Sequence, residues 1–564
     1  MSPFFPLRFR QQFPLLNQRE HTTSASDIIY FDNAATTQKS QQVITAQQHY
    51  YLNNNANVHR ASHQLSAKAT FDFEQTRLAV QQFIKAKYLE EIIWTKGASE
   101  SINLVAQSLG RNLLKPGDEI VLSASEHHAN IVPWQILAEQ TGAVIKVLPI
   151  NEQGIINITN LESIITTKTK IVACAHISNV LGRINPIEKI IARARAVNAI
   201  SLIDGAQAIA HLPVNVQALG CDFYVFSAHK MYGPTGVGVL YGRKALLESM
   251  SPYQGGGEMI KSVSFNKPTI FNDLPFKFEA GTPNISGIIA FKAAITLMQT
   301  AFTNDIHSYE QQLASYCYQA LAQISQVEFI VQGQPDIALI AFSIKDHHNH
   351  DIASALDSYN IALRSGHHCA MPLMELLAIN GCLRVSLAPY NTLAEIDYFI
   401  RCLKEIVTTQ TDAHIEINTE IKTKETELKE NGLESIDNIL KKFSKSKGWD
   451  SLHREIMLLG KKLPRLPSSQ RNEQSLIAGC ESLAWLTVEQ DRQGHFHFFA
   501  DSDAKVIRGL LMIVLAIFNN KTTAEIQQVN INNIFDELGL LHHLSPSRGN
   551  GLLAIVAKIK QLTE

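Results

Sequence analysis

Cysteine is scarce in this sequence, with seven residues among 564. An odd number of widely spaced cysteines is typical of reduced intracellular thiols and argues against a disulfide framework. No CxxC pair is present, so the usual start of a four-ligand zinc site is missing. Net charge is nearly absent too, at -2 with 18% charged residues. This balance gives no reason to expect nucleic acid or an anionic membrane as a partner.

Long hydrophobic runs are also missing. Arg8 and Arg10 interrupt the apolar start MSPFFPLRFRQQFPLL, and no small-residue cleavage site follows it. No targeting peptide is therefore predicted. The run GLLMIVLAIF, residues 509–518, is about half the length that spans a bilayer and predicts a buried helix. We expect a cytoplasmic protein without a membrane partner.

The length exceeds what one hydrophobic core usually covers, so at least two domains are expected. Between about residues 90 and 245, short β-rich apolar runs alternate with helix-like stretches. Runs that are apolar nearly throughout are typical of strands covered on both faces, and they predict an α/β sheet wrapped by helices. The runs are EIIWT, EIVLSAS, AVIKVLPI, KIVACAHIS, ISLIDGAQ, DFYVFSAHK and GVGVLYG.

The remaining chain predicts a small α+β region, a linker and a separate domain. Residues 290–408 mix helical stretches with the apolar runs LIAFSI and LRVSLA. Residues 409–432 have few large apolar side chains and many charges, which predicts a solvated, partly helical linker. Residues 433–564 are long enough for an independent α+β domain. Its predicted elements are an amphipathic helical stretch IDNILKKFSKSKGWDSLHREIMLLGKKLP, strands SLAWLTVEQ and HFHFFA, and helices near DSDAKVIRGL and GLLAIVAKIKQL.

Lys230 ends a predicted strand in FSAHKMYGPTGVGVLYG. Alone, a lysine there is most simply a surface charge, but neighbouring segments supply the other parts of a pyridoxal phosphate (PLP) site. A lysine that carries PLP needs an acidic partner for the pyridinium nitrogen. Asp204 ends the preceding apolar run, and Gln207 follows within reach of the ring oxygen.

Two more strand ends complete this candidate site. In WTKGASESINLVAQSLG a predicted strand leads through Gly97 and Ser99 into a helix, whose first N–H groups suit a phosphate. His127 ends another strand in SASEHHANIVPW, where its ring is able to stack on the cofactor. Each residue alone is more simply a cap or a core residue. Together, at strand ends of one sheet, they match the edge where α/β folds bind ligands.

The long region resembles a PLP-dependent cysteine desulfurase of the Suf type (group II), from about Phe13 to residue 408. The resemblance rests on DNAATTQKS, NVHRASHQLS, SEHHANIVPWQ, HISNVLG, DGAQA, SAHKMYGPTG, GGGEMI, FEAGTPN and RSGHHCA. It implies the PLP-dependent transferase fold type I, like a class V aminotransferase. A large sheet domain would cover about 32–285, and a small α+β domain would combine the N-terminal segment with about 286–408. The whole desulfurase would cover 1–408.

The resemblance also implies a role for individual residues. Arginine suits a substrate carboxylate because its planar fork pairs with both oxygens. Ala98 stands where threonine is common in relatives, and Pro389 where methionine is common, so the effect of both departures is open. The resemblance implies that Lys230 carries PLP, that Asp204 and Gln207 contact the PLP ring and that His127 stacks on this ring. It implies that the PLP phosphate is held by Ser99, Ser227, His229 and Thr282, with Thr282 supplied by the partner subunit of a homodimer. It implies that the substrate carboxylate is bound by Arg384, Arg364 and Asn179.

Cys369 lies in RSGHHCA, which admits three interpretations. A metal site is disfavoured because consecutive residues rarely turn all their side chains to one ion. A Cys/His acyl-transfer site lacks a family signature. The third interpretation fits the PLP site: a Cys369 thiolate, favoured by Arg364 and the adjacent histidines, attacks the sulfur of cysteine and leaves alanine and a persulfide. His127 is the candidate acid or base, since an unperturbed histidine titrates near working pH.

The C-terminal domain resembles a SufE-like sulfur acceptor over about residues 435–562. The matching motifs are LGKKLPRLPSSQRNEQSLIAGCESLAWL, DSDAKVIRGL and SPSRGNGL. The resemblance implies that Cys480 accepts sulfur from Cys369 by thiol exchange, which requires an accessible thiolate. Glu481 and Leu483 replace glutamines common in that family, so the polarity around Cys480 is open.

The predicted function is therefore conversion of L-cysteine to L-alanine, with sulfur passed to Cys480 for iron–sulfur cluster assembly. A flexible tether of about 25 residues would give effective concentrations approaching millimolar. Expected partners are cysteine, a second copy of the chain, and downstream sulfur acceptor or iron–sulfur scaffold proteins. Transfer within one chain or across the dimer stays open. The alternatives are a selenocysteine lyase, which need not depend on Cys369, and a non-catalytic sulfur-carrier scaffold.

Overall fold

The structure of the chain is a computed structural model. It describes residues 4–17, 28–60, 62–303, 305–424, 435–444, 449–477, 482–538 and 546–563. The chain divides into two compact units. The first unit comprises Met1–Lys345 and Leu356–Lys404, and the second comprises Asp346–Ala355 and Glu405–Glu564.

The described residues form strands that are mostly short. The strands are β1 (Ile29–Tyr30), β2 (Ile92–Thr95), β3 (Glu119–Ser123), β4 (Val144–Leu148), β5 (Thr169–Ala175), β6 (Ile200–Asp204), β7 (Phe223–Ser227), β8 (Gly238–Gly242), β9 (Ile260–Ser264), β10 (Lys267–Phe271), β11 (Val327–Phe329), β12 (Leu339–Ile344), β13 (Ile361–Ala362), β14 (Arg364–Gly366), β15 (Cys382–Ser386), β16 (Ala484–Gln490) and β17 (Phe496–Ser502).

Helices occupy most of the intervening chain. They are α1 (Pro6–Arg10), α2 (Gln41–His49), α3 (Gln64–Phe83), α4 (Ala98–Val105), α5 (Arg111–Leu113), α6 (Val132–Thr141), α7 (Leu161–Ile164), α8 (Ile187–Ala196), α9 (Val216–Leu219), α10 (Lys244–Ser249), α11 (Ile285–Thr303), α12 (Ile306–Ala322), α13 (Asn349–Asp357), α14 (Met371–Leu376), α15 (Leu393–Lys424), α16 (Ile436–Phe443), α17 (Trp449–Lys462), α18 (Lys505–Phe518), α19 (Thr523–Gln528), α20 (Ile531–Glu537) and α21 (Pro546–Leu562).

The first unit is built on one seven-stranded sheet, in the order β2-β8-β7-β6-β5-β3-β4. All seven apolar runs predicted as strands form this sheet, so that prediction is confirmed. The prediction that both faces are covered holds for the inner strands but is wrong for β4, where Val144 is 46% and Val147 is 53% exposed. The reason is position: β4 lies at the sheet edge and pairs only with β3.

The pairing brings six strand ends to one edge of this sheet. Strands β3, β4, β5, β6 and β7 run parallel, whereas β8 is antiparallel to both β7 and β2. The last residues of β2, β3, β4, β5, β6 and β7 therefore lie at the same edge. The first residue of β8, Gly238, lies there as well, opposite Thr95. Such an edge is where open α/β sheets bind ligands.

A smaller antiparallel sheet in the first unit has the order β11-β12-β15-β14. The runs LIAFSI and LRVSLA form its strands β12 and β15, as predicted. The pairing of β14 with β15 sets Arg364 directly opposite Arg384. Strand β1 pairs in parallel with β13, so the N-terminal segment joins this part of the fold.

Helix α11 is long and apolar enough to cross a membrane by length and composition alone. However, most of its apolar residues are buried in the core of the first unit, among them Phe291, Ile295 and Met298. It is a core helix, which explains its composition without a bilayer.

The second unit contains the predicted helices and the β16–β17 hairpin, which pairs Ala484 with Ser502. Helix α18 carries the GLLMIVLAIF run and is buried over nearly its full length, as predicted. It approaches α17 closely because Gly460 and Gly509 leave no room for a Cβ at the crossing. Helix α15 continues to Lys424, so residues 409–424 of the predicted linker are helical and only its remainder lies outside the described residues.

Candidate active site

A cavity of about 280 Å³ opens at the edge where the strands of the large sheet end. A volume of this order suits a small molecule. Eleven of the residues predicted from the sequence line it. These are Ser99, His127, Asn179, Asp204, Gln207, Ser227, His229, Lys230, Arg364, Cys369 and Arg384.

Lys230 follows β7 on a short turn, Ala228–Lys230, and its amine faces the cavity. Within the described residues, its Nζ makes no hydrogen bond or ion pair. Burial lowers the pKa of Lys230 from 10.5 to about 8, although Asp204 acts in the opposite direction. Lowering of this kind makes a lysine amine available as a nucleophile near neutral pH.

Asp204 is the last residue of β6 and is buried. Its carboxylate accepts a hydrogen bond from the Ala206 N–H at 2.9 Å. Burial raises its pKa, which the same hydrogen bond and Lys230 counteract. An acid in this position can share a proton with a ring nitrogen, as a PLP site requires.

The start of α4 forms a cradle at the other end of the cavity. Ala98 donates its N–H to the Ser227 hydroxyl at 2.8 Å, which ties the helix start to the end of β7. A Cβ on Gly238 would lie 2.4 Å from the Gly97 Cα, so only glycine allows this approach. Ser99 is exposed in the first turn of α4. Free N–H groups at such a helix start favour a phosphate.

The carbonyl of His229, directly before Lys230, accepts hydrogen bonds from four donors. These are the Thr37 N–H at 3.0 Å and the Thr36 hydroxyl, the Thr37 hydroxyl and the Lys39 amine, each at 3.1 Å. They fix the turn that carries Lys230. Burial lowers the pKa of Lys39 to about 8. Sequence reasoning missed these residues, although they lie in the quoted motif DNAATTQKS.

His127 follows β3 and begins a short helical turn, in which its Nδ1 accepts the Ala129 N–H at 3.0 Å. Burial and then the charges of Lys230 and His128 lower its pKa from 6.5 to about 3. The ring is therefore neutral at working pH. A neutral ring can accept a proton or stack on an aromatic cofactor.

Glu126 anchors the same turn and was also missed. Its carboxylate accepts hydrogen bonds from the Asn130 amide at 2.6 Å and the Ala175 N–H at 2.8 Å. Burial raises its pKa to about 7. It thereby links the turn after β3 to the end of β5.

Both candidate carboxylate-binding arginines contact Asp32. Arg364 donates to its carboxylate through Nε and Nη2, at 3.1 and 2.9 Å, and Arg384 donates through Nη2 at 3.1 Å. The Arg384 side chain is only 3% exposed. Its Nη1 donates to the Asn179 carbonyl at 2.9 Å, but its Nε has no hydrogen-bond partner. A buried donor without a partner is unfavourable, and Arg384 is among the residues that line the cavity.

The side chains of Gln207 and Asn179 are occupied by hydrogen bonds within the protein. Gln207 Nε2 donates to the Ala34 carbonyl at 2.8 Å. Asn179 Nδ2 donates to the His368 carbonyl at 2.8 Å. In this structure both residues therefore organise the cavity wall with their amide nitrogens.

Cys369 is an exposed free thiol between β14 and α14. It lines the same cavity as Lys230, though the two residues are far apart in the chain. Within the described residues, no group of three or more His, Cys, Asp or Glu side chains is placed to hold a metal ion.

Thr282 is exposed on the loop before α11 and does not line the cavity. Cys480 and Glu481 lie outside the described residues, whereas Leu483 is described and partly exposed.

The residues present fit PLP. A half-buried lysine amine without a hydrogen bond, a buried acid, a neutral histidine and a helix start held open by glycine share one cavity. The unpartnered Nε of Arg384 adds a place for an anionic group. The fold and this site define a PLP-dependent enzyme of fold type I.

Comparison with known proteins narrows this class. The chain matches the model of the Aminotransferase class-V family over residues 29–399, and that of SufE, an Fe-S metabolism associated domain, over residues 437–563. The chain belongs to the class-V aminotransferase family and, within it, to the cysteine desulfurases.

Relatives with that name cover the same part of the chain. A cysteine desulfurase of Yersinia pseudotuberculosis serotype O:1b (strain IP 31758) is 48% identical over 405 residues, which are 71% of this chain and 98% of that protein. The crystal structure of the cysteine desulfurase CsdA from Escherichia coli is similar with a TM-score of 0.67 and 39% identity, covering 72% of this chain and 100% of that one. An apo cysteine desulfurase from Thermococcus onnurineus NA1 has a TM-score of 0.68 and 37% identity, with the same coverage.

Proposed function

We propose that the chain converts L-cysteine to L-alanine and passes the sulfur to its own SufE domain for iron–sulfur cluster assembly. The observation that carries this proposal is the position of Cys369, whose exposed thiol lines the cavity that also contains Lys230 and Arg384. A scaffold protein would need no such convergence.

PLP held at Lys230 supplies the electron sink that acidifies the substrate's Cα–H and opens its sulfur to attack. The start of α4 at Ala98 and the hydroxyls of Ser99 and Ser227 would hold its phosphate. Asp204 would pair with the ring nitrogen, and His127 would stack on the ring. We assign Thr282 to the same phosphate from the partner subunit of a homodimer, because in its own subunit it lies away from the cavity.

Arg384 binds the substrate carboxylate. Its Nε is buried and unpartnered, so a carboxylate oxygen would satisfy a donor that the protein leaves without one. Arg364, opposite it on β14, assists from a more exposed position. Asn179 supports this pair through its carbonyl, which accepts from Arg384.

Transfer of the substrate sulfur to Cys369 needs no external reductant. The Cys369 thiolate forms a bond to the substrate sulfur while the substrate's carbon–sulfur bond breaks. The electron pair of that bond stays on carbon, which takes up a proton and leaves as alanine. The sulfur remains as the outer atom of a Cys369 persulfide. Lys230 and His127 are the groups in the cavity that we assign to proton transfer, because burial lowers the pKa of Lys230 to about 8 and that of His127 to about 3.

The second step moves the sulfur to Cys480. Residues 1–408 form the desulfurase in this proposal, 409–432 the connection, and 433–564 the acceptor domain. Thiol exchange at Cys480 leaves Cys369 free for another turnover. The downstream acceptors are iron–sulfur scaffold proteins, and the compartment is the cytoplasm, which keeps these thiols reduced.

The homodimer has one further support in the first unit. Strands β9 and β10 form a hairpin whose apolar residues Val263, Phe265 and Ile270 are all exposed. An apolar surface of this kind is typical of a protein interface. A dimer interface in the first unit agrees with the proposed contribution of Thr282 to the phosphate site of the partner subunit.

The decisive experiment measures alanine and sulfide released from L-cysteine by the full chain. We expect Lys230→Ala to lose the PLP absorbance band and all turnover, and Cys369→Ser to keep the band but stop sulfur release. If Cys369→Ser desulfurates cysteine normally, a lyase that acts without this thiol replaces the proposal. If Lys230→Ala still releases alanine, the site itself is wrong.

Cys480 is tested by mass spectrometry of the wild-type chain after incubation with cysteine. We expect extra sulfur on the Cys480 peptide, and slower steady-state turnover in Cys480→Ser that dithiothreitol restores by clearing Cys369. An unmodified Cys480 peptide beside a Cys369 persulfide would show that the acceptor step is wrong and leave the desulfurase step intact.

A further inference from the structure

The loop that carries Cys369 has an unfavourable backbone. His368 has a φ of 51° and Cys369 a φ of 55°, both in the left-handed region, which residues with a Cβ adopt rarely. Two such residues in succession need outside contacts to keep this conformation. We call residues 367–370, between β14 and α14, the Cys369 loop.

His128 contacts this loop at two points. Its backbone N–H donates to the Cys369 carbonyl at 2.7 Å. Its ring Nε2 accepts the N–H of Met371, the first residue of α14, at 2.9 Å. A single residue from the turn after β3 thus joins the thiol residue to the helix that follows it.

Other contacts complete the support but act on one point each. The Cys369 N–H donates to His367 Nδ1 at 3.1 Å, and Asn179 donates to the His368 carbonyl at 2.8 Å. The rings of His128 and His367 lie together with centroids 5.7 Å apart. Among these residues, His128 is therefore the one that comes from outside the loop and makes two hydrogen bonds, one to Cys369 and one to the first residue of α14.

We propose that the ring of His128 is a positioning residue for sulfur transfer, which holds the Cys369 loop so that the thiol faces the cavity. The proposal rests on the function proposed above. His128 does not line the cavity, unlike its neighbour His127, so it touches neither PLP nor substrate. It acts on the step that needs the thiol and leaves the preceding steps unchanged.

The chemistry of the ring agrees with this role. A ring nitrogen accepts a hydrogen bond only when it carries no proton, so Nε2 must be bare and the proton must be on Nδ1. Burial, and then the neighbouring His367, lower the pKa of His128. The ring is accordingly neutral at the pH where the enzyme works, and the bond to Met371 persists.

The test compares side chains of graded reach at position 128. In His128→Gln the amide oxygen lies about where Nε2 lies, so it can accept the Met371 N–H. In His128→Asn the oxygen is one methylene short, and in His128→Ala it is absent. The backbone bond to Cys369 remains in all three. His49→Ala, which removes an exposed histidine bonded only to its own helix, is the matched control.

Each variant is assayed as the full chain with PLP bound. We expect His128→Ala and His128→Asn to lower kcat for alanine release from cysteine on the order of fivefold, as loss of one hydrogen bond implies. His128→Gln should recover most of it. The PLP absorbance, the KM for cysteine and the turnover of selenocysteine, which needs no thiol attack, should match wild type. The rate at which iodoacetamide alkylates Cys369 should differ from wild type in His128→Ala and His128→Asn. It should match wild type in His128→Gln.

Three results would overturn the proposal. They are a wild-type kcat in both His128→Ala and His128→Asn, an equal loss in His128→Gln and His128→Asn, or an equal fall of cysteine and selenocysteine turnover. If His128→Ala does not fold, the comparison of His128→Asn with His128→Gln still tests the proposal. A wild-type chain that releases no alanine would instead refute the proposed function.

Discussion

Replacing Arg384 by lysine removes the planar fork from the buried end of the cavity and keeps the positive charge. The native side chain is 3% exposed and donates to the Asn179 carbonyl and to Asp32, at 2.9 and 3.1 Å. Its Nε has no partner. A lysine has one nitrogen, which cannot reach Asn179, Asp32 and a substrate carboxylate together. We therefore expect the variant to lose its hydrogen bond to the substrate.

The size of the loss follows from the type of hydrogen bond. A hydrogen bond to a charged group contributes about 1.5–3 kcal/mol. Since 1.4 kcal/mol corresponds to a factor of ten, kcat/KM for cysteine should fall roughly 10- to 150-fold. The carboxylate does not change during the reaction, so most of the loss should appear as a higher KM with kcat little altered.

The assay is alanine release as a function of cysteine concentration, with PLP absorbance and thermal unfolding recorded for each variant. Arg364→Lys is the matched control. Its side chain is 46% exposed, and exposed ion pairs are worth about 1 kcal/mol or less. Its KM should rise less than about fivefold by that limit.

The reasoning would be refuted by an Arg384→Lys protein that binds PLP normally and keeps a KM within about twofold of wild type. An equal rise of KM in both lysine variants would also contradict it, because burial would then not distinguish the two arginines. A fall in kcat alone would assign Arg384 to the reaction step instead of to substrate binding.

Three further predictions concern the cofactor site and its support. Gly238→Ala places a Cβ 2.4 Å from the Gly97 Cα, so PLP should be lost on dialysis, and a normal PLP content would contradict this. Because the pKa of Lys230 is lowered to about 8 by burial, PLP uptake by the apoprotein should accelerate with pH up to about 8 and then level off. A rate still rising at pH 10 would mean an ordinary lysine. Arg77 forms an ion pair with Glu279 at 2.7 Å, so Arg77→Ala leaves Glu279 buried without a counter-charge. This should lower the free energy of unfolding by about 3–5 kcal/mol. A loss of less than about 1 kcal/mol in denaturant unfolding would contradict this prediction.

The strands of the large sheet were predictable because their pattern is local. Each run is apolar for four to eight residues and stands between polar turns, which restricts it to a covered strand. Lys230, Asp204 and His127 were predictable for the same reason, since each directly follows such a run. The exposure of β4 was not predictable, because strand order depends on pairing between distant segments.

The acceptor domain shows a similar division. Its helices and hairpin follow from amphipathic period and alternation, and the predicted buried run is α18. The close approach of α17 to α18 depends on Gly460 and Gly509 at the crossing of the two helices. The sequence around either glycine does not show which helix it packs against. The helix that extends through residues 409–424 was expected only in part, since charged, weakly apolar sequence is compatible with both coil and helix.

By itself, the sequence determined the strands of the large sheet, the candidate residues for PLP binding and the thiol at position 369, because these depend on short patterns and motif chemistry. Only the tertiary structure decided how those residues are held. Asp32 accepts a hydrogen bond from Arg384, 352 residues away, and His128 accepts one from the N–H of Met371, 243 residues away. The lowered pKa values of Lys230 and His127 arise from burial. Hydrogen bonds between distant segments and the loss of water around a side chain exist only after the chain has folded, so no local pattern can encode them.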